Sequence, residues 1–264
     1  MKPTGTFILF IFSFGFLNAY TQQSNHFSYS YGGIVRGDSS KEELSLVFTA
    51  DEYGEGLSAI IKTLRKQKVK GSFFFTGRFY RNKQYKKEIL QLKNGGHYLG
   101  PHSDQHLLYC DWTKRDSLLV NKDSFENDIA ENTEAMKTSG VPIQPPHYFI
   151  PPYEWWNDSI ARWSKENGLQ IINFTPGIRT NADYTWPELS NYKSSEWIIN
   201  WLKEFIQKTP NKLNGSIILI HAGTDPKRTD KLYSRLNEFI TILKKEGYQL
   251  VRVDNLLNIA KTEY

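Results

Sequence analysis

The chain has 264 residues, of which 39% are hydrophobic and 23% charged, with 18 Gly and 11 Pro. This is ordinary globular composition, and it excludes disordered, collagen-like and coiled-coil chains. The formal net charge of +5 is spread along the chain and does not demand nucleic acid, and the single cysteine, Cys110, excludes a disulfide framework, a multi-Cys zinc site and a four-Cys iron–sulfur cluster.

Residues 1–19 read as an export signal. Lys2 precedes an eleven-residue apolar run at 7–17 (FILFIFSFGFL), and Ala19 is a small residue before the cut. Eleven residues are too few to cross a bilayer, which takes about 20. The competing readings are an uncleaved anchor or a buried strand. Residues 20–264 are then one domain, secreted or periplasmic, with no membrane contact after cleavage. ATP and NAD are scarce there, which favours hydrolysis.

Strand–helix pairs follow. Residues 44–49 (LSLVFT) form a buried strand, and 57–67 a helix with apolar Leu57, Ile60, Ile61 and Leu64. Strands are expected at 71–76, 97–101, 147–150, 170–175, 216–221 and 249–253. Helices are expected at 85–93, 125–139, 157–167, 194–207 and 229–245. Seven strands alternating with helices give an α/β fold around a mostly parallel sheet. A closed or nearly closed barrel is expected, with a doubly wound open sheet as the alternative.

In such folds ligands meet the carboxyl ends of the strands. Asp51 and Glu52 follow the first strand, and His102 and His106 the third. Tyr153, Glu154, Trp155 and Trp156 follow the fourth, and Asp183 the fifth. His221 and Asp225 stand at the end of the sixth. Gly54–Ala59 matches G-x-G-x-x-A, but Asp51, Glu52 and Glu55 would repel a pyrophosphate, so it is read as a loop with helix-compatible spacing.

His102-Ser103-Asp104-Gln105-His106 is an H-S-x-x-H motif. If a helix starts at His102, both imidazoles lie on one face. Two imidazoles with Asp51 as the carboxylate make a three-ligand hydrolytic zinc site, whose open position takes water. Zinc lowers the pKa of that water to about 7. His221, with no spaced partner, suits a general acid or base. The plainer reading is that His102 and His106 only cap a helix.

These segments resemble the polysaccharide deacetylases, the NodB-homology domain of carbohydrate esterase family four. The resemblance rests on Leu46-Val47-Phe48-Thr49-Ala50-Asp51, the H-S-x-x-H, Phe149-Ile150-Pro151-Pro152-Tyr153 and Ile217-Ile218-Leu219-Ile220-His221. It covers about residues 40–255. It implies a distorted (β/α) barrel, a divalent metal that is usually zinc, and removal of acetyl groups from N-acetylglucosamine polymers or acetylated xylan. By it, Asp51, His102 and His106 are the metal ligands, and His221 is the acid that protonates the leaving amine. Ser103 supports the loop, and the Tyr153 backbone N–H meets the developing oxyanion.

Departures accompany the resemblance. Ala50 stands where the family has its base Asp, and Ile150 where it has the Arg that orients that base. Asn173-Phe174-Thr175-Pro176-Gly177 lacks the family's Asp and Trp. A one-residue slip would instead make Asp51 the base and Glu52 a ligand, but it would turn every side chain of the strand over. Glu52 and Glu154 are candidates for the missing base, with Asp183 a third. Tyr153, Trp155, Trp156, Asp183 and Asp225 are candidates to bind the polysaccharide, and Asp225 also to orient His221. The rival readings are a catalytically silent glycan-binding protein and a metal-dependent amidase or esterase for a non-sugar substrate. Sequons lie at Asn157, Asn173 and Asn214.

Overall fold

The computed structural model describes residues 26–142, 147–208 and 213–258; the export signal read in residues 1–19 lies outside them. The strands are β1 (Ser28–Ser30), β2 (Gly33–Arg36), β3 (Glu43–Ala50), β4 (Ser72–Phe75), β5 (Tyr98–Pro101), β6 (His147–Phe149), β7 (Leu169–Ile171), β8 (Ile217–His221) and β9 (Gln249–Leu250). The helices are α1 (Leu57–Gln67), α2 (Gly77–Arg81), α3 (Lys86–Asn94), α4 (Lys122–Thr138), α5 (Asp158–Glu166), α6 (Ser195–Lys208), α7 (Leu236–Lys245) and α8 (Val253–Leu257).

Strand β3 is apolar along most of its length because both of its faces are covered. It sits in a parallel sheet of order β5-β4-β3-β8, and β9 pairs with its first residues. β6 and β7 form a second parallel pair. Single contacts join the two sheets into a ring. Ile150 N donates to Pro101 O at 3.4 Å, Ile34 bridges Ile172, and Thr175 N donates to Ile217 O at 2.8 Å. The result is a distorted (β/α) barrel, not an open doubly wound sheet.

Strand alternation sorts side chains into two sets. Val47, Phe74, Tyr148, Ile150, Ile172, Ile217 and Leu219 fill the lumen. Leu46, Phe48, Ala50, Phe73, Phe75, Ile218 and Ile220 pack outward under the helices. Thr49 pairs in register with Phe74 and with His221, so it faces the top of the lumen.

The expected strand at 249–253 is corrected. It ends after Leu250, and Val253, Leu256 and Leu257 of α8 plug the lumen at the i, i+3, i+4 spacing of a helix. The expected helix at 229–245 begins later, as a 3-10 turn at Leu232–Arg235 leading into α7. Lys231 is held extended because its ammonium donates to Thr224 O (2.8 Å) and Asp225 O (3.0 Å). The hairpin β1–β2 and the short α2 went unread.

The G-x-G-x-x-A stretch is a packing device. A Cβ at Gly56 would lie 2.6 Å from Ala222 O, so only glycine lets the two loops touch. Glu55 then accepts from Thr224 N at 3.1 Å and pairs with Lys231 at 3.1 Å. The sequon asparagines Asn157, Asn173 and Asn214 are all buried. Asn157 caps α5 by accepting from Ile160 N at 3.0 Å. Among the described residues no helix is long and apolar enough to cross a membrane.

Candidate active site

His102 leaves β5 into the lumen and is buried. Its Nδ1 donates to Ile150 O at 2.7 Å, which leaves Nε2 with a free lone pair. His106 follows in a loop, not on the expected helix. Ser103 and His106 take left-handed backbone, with φ of 68° and 56°, and His106 N donates to Ser103 Oγ at 3.0 Å. The turn still brings the imidazoles together, with ring centroids 5.1 Å apart.

The loop is held from beneath. Asp128 on α4 accepts from Asp104 N (3.0 Å), Gln105 N (2.9 Å) and the Tyr109 hydroxyl (2.5 Å). Arg81 grips Asp104 with two bonds, of 2.7 and 2.8 Å.

Asp51 continues the lumen side of β3, and its Oδ2 lies 3.9 Å from His106 Nδ1. Arg78 of α2 holds both carboxylate oxygens, with Nε on Oδ1 at 2.5 Å and Nη2 on Oδ2. Burial opposes the charge on Asp51, but Arg78 and His106 more than offset it and keep the carboxyl below its usual range. Burial, with His106 beside it, depresses His102 to about 3. Burial, with help from Arg78, depresses His106 to about 4. Two neutral imidazoles and one ionised carboxylate are the donor types a zinc-like divalent cation takes. As they stand, among the described residues, no three such side chains are gathered tightly enough to hold an ion. Arg78 occupies one lone pair on each oxygen of Asp51, and its positive charge opposes a cation approaching that carboxylate.

A second cluster faces this one. Asp183 is buried in a 3-10 turn, Thr180–Tyr184. Its Oδ1 lies 2.6 Å from His221 Nδ1, and its Oδ2 accepts from His221 N at 3.0 Å. Burial works against a charged His221, but Asp183 and then Glu154 outweigh it, so its pKa lies above the ordinary value. Burial pushes Glu154 up, against the pull of His221. No hydrogen bond reaches the Glu154 carboxylate among the described residues. Tyr153 and Glu154 both take positive φ after the Pro-Pro turn (59° and 54°), and Asn173 Nδ2 fixes Glu154 O at 3.0 Å. This cluster can hold and pass a proton.

The structure therefore gathers Asp51, His102, His106, Tyr153, Glu154, Asp183 and His221 at one rim. Ala50, Glu52, Asp225 and Trp156 are placed otherwise. Ala50 packs outward among Phe75 and Phe79, so position 50 does not face the site; Thr49 is the β3 residue that does. Glu52 is exposed beside Tyr53. Asp225 shapes its own loop, accepting from Lys227 N at 2.8 Å, and Asp183 orients His221 in its place. Trp156 is core, 2% exposed, with its indole N–H on Tyr31 O at 2.8 Å. Trp155 is half-buried beside the rim, its indole N–H on Asp111 O at 3.2 Å.

Two arginines were missed. Arg78 falls one residue into a helix too short to read, and only its place after a strand end hinted at a role. Arg228 is fully buried and donates to Thr185 O (2.5 Å), Lys193 O (3.1 Å) and Asp230 O (3.1 Å). It fastens the segment that follows Asp183 and Tyr184. Its D-P-K-R context reads as an ordinary polar loop.

Known proteins share this fold. The chain is 24% identical over 238 residues to the peptidoglycan-N-acetylmuramic acid deacetylase PdaA of Bacillus subtilis, covering 89% of this chain and 79% of that protein. The PdaA structure matches with a TM-score of 0.65 at 23% identity, over 86% of each chain. A peptidoglycan N-acetylglucosamine deacetylase matches with a TM-score of 0.68 at 21% identity, over 86% of this chain and 93% of its own. A family-four pseudoenzyme from Bacillus anthracis matches with 0.65 at 19%, over 87% and 70%. These structural likenesses establish the fold. The polysaccharide deacetylase profile matches residues 36–172, just over half the chain. The chain belongs to the polysaccharide deacetylase family.

Proposed function

We propose that this protein is a metal-dependent hydrolase that removes acetyl groups from a polysaccharide outside the cytoplasm. The observation that carries the reading is the meeting of two clusters at one rim: His102, His106 and Asp51 on one side, and Glu154, His221 and Asp183 on the other. The first three would hold a divalent cation, zinc by donor type, which supplies an acidified water and a polarised acetyl carbonyl. Glu154, half-buried and with no hydrogen bond to its carboxylate among the described residues, takes the proton from the attacking water. His221, kept charged by Asp183, returns a proton to the leaving group. The Tyr153 backbone N–H meets the developing oxyanion, and its exposed ring stacks on the sugar. The compartment rests on the export signal read in residues 1–19.

The grip of Arg78 on Asp51 favours a second reading, a glycan-binding protein that has given up catalysis. Acetate release from acetylated chitooligosaccharides, acetylxylan and peptidoglycan fragments, with zinc or cobalt added and His102→Ala alongside, decides between them. Metal-dependent release abolished by the substitution supports the hydrolase. Glycan binding without release from any substrate supports the second reading.

A further inference from the structure

A row of rings runs outward from the rim on the Tyr153 side. Tyr153 lies 4.4 Å from the His106 ring and 5.6 Å from Trp112, and Trp112 lies 5.6 Å from Trp155. Trp112 is 53% exposed and Tyr153 44%. At the far end the Arg115 guanidinium is sandwiched between Trp155 and Tyr31, with its Cζ 3.8 and 3.7 Å from the two ring centroids.

Arg115 is unusual in what it lacks. Its Nε donates to Trp156 O at 2.6 Å, but its terminal nitrogens meet no carboxylate and no other acceptor among the described residues. The neighbouring carboxylate of Asp111 is taken by Thr113 N (2.8 Å) and Lys114 N (2.7 Å). Two aromatic faces and one anchoring bond fix the fork in place without neutralising it. A guanidinium presented flat, with both terminal groups free, matches a planar carboxylate. The exposed indole beside it matches the apolar face of a sugar ring.

We propose that Trp112, Trp155 and Arg115 form a subsite for a sugar residue that carries a carboxylate, so the polysaccharide this protein takes is an acidic one. The inference rests on the polysaccharide reading of the rim and adds the class of glycan. A lactyl ether and a uronic acid both supply the carboxylate.

Equilibrium binding, read by indole fluorescence, tests it apart from catalysis. The probes are N-acetylglucosaminyl-N-acetylmuramic acid, its carboxyl methyl ester, neutral chitobiose and a glucuronate-containing disaccharide. The expected result is about tenfold tighter binding of the muramic acid probe than of its ester, a preference lost in Arg115→Gln and weakened by salt. The glucuronate probe shows whether the carboxylate alone suffices or the lactyl ether is needed. Trp112→Ala weakens all the probes alike. Equal binding of acid and ester, or a preference that survives Arg115→Gln, overturns the proposal. Should Arg115→Gln fail to fold, the salt dependence of the acid against the ester in the unaltered protein decides. Binding preference without acetate release would leave the subsite standing and sink the hydrolase. Release without preference would do the reverse.

Discussion

Arg78 holds both carboxylate oxygens of Asp51, the acid that stands 3.9 Å from His106. A cation bound there meets the positive charge of the guanidinium on the same carboxylate. Arg78 is 46% exposed, so the pair contributes at most about 1 kcal/mol. Arg78→Ala should therefore tighten zinc binding by about fivefold, read by competition with a chromogenic chelator. Unchanged or weaker binding would show that Arg78 steadies Asp51 instead of opposing the cation.

Asp183 is what keeps His221 charged. In Asp183→Asn burial is opposed by Glu154 alone, and the His221 pKa should fall, as proton NMR titration would show. A raised histidine pKa adds stability that is fully present below the unfolded value and is lost as pH rises through the folded one. Asp183→Asn should accordingly cost about 3 kcal/mol near pH 5, with a smaller loss at pH 9. If His221 serves as the acid, the alkaline limb of the activity profile moves to lower pH. A limb that stays in place would remove His221 from that role.

Glu154→Gln separates activity from stability. Loss of a general base should lower kcat/KM by about 100-fold or more. Burial raises the Glu154 pKa, so its charge destabilises the fold as pH rises past the ordinary carboxylate range. The amide removes that charge and breaks no side-chain hydrogen bond, so urea denaturation at pH 7 should show equal or higher stability. Glu52→Gln, on an exposed residue, should leave activity within about twofold. Equal losses at both positions would count against Glu154 as the base.

Ala50→Asp is the substitution that sequence comparison alone would recommend to restore a base. The structure directs it into apolar packing among Phe75 and Phe79. It should cost about 3 kcal/mol or more and confer no activity, as urea midpoints and acetate assays would record. A stable, more active variant would show that position 50 reaches the site.

The barrel and most of its strand ends were legible because hydrophobic runs and their punctuation survive in a single sequence. The chemistry was legible where residues lie close in the chain, as His102 and His106 do. The reason for their proximity was not: the four-residue spacing suggests a helix, whereas Ser103 and His106 in left-handed backbone make the turn. Asp183 shows the other limit. It reaches His221 from 38 residues away, whereas the sequence points only to Asp225, four residues on, as a group that could orient it. Proximity in the chain is a poor guide where loops from opposite sides of a barrel meet. Ala50 was misplaced for a third reason. Alignment counts positions, whereas the pleat decides which of two adjacent residues faces inward.

The buried asparagines bear on how the protein can be made. Asn157, Asn173 and Asn214 each begin a glycosylation signal, and each is enclosed by the folded chain. Asn157 spends its amide on Arg115 O at 2.9 Å and Asn173 on Glu154 O at 3.0 Å. A glycan on either nitrogen would displace a bond beneath the rim. A eukaryotic secretory host, which attaches sugar while the chain is still unfolded, would thus mark these positions before the fold could hide them, and every molecule so marked would be barred from its native state. Production belongs in a host without that machinery.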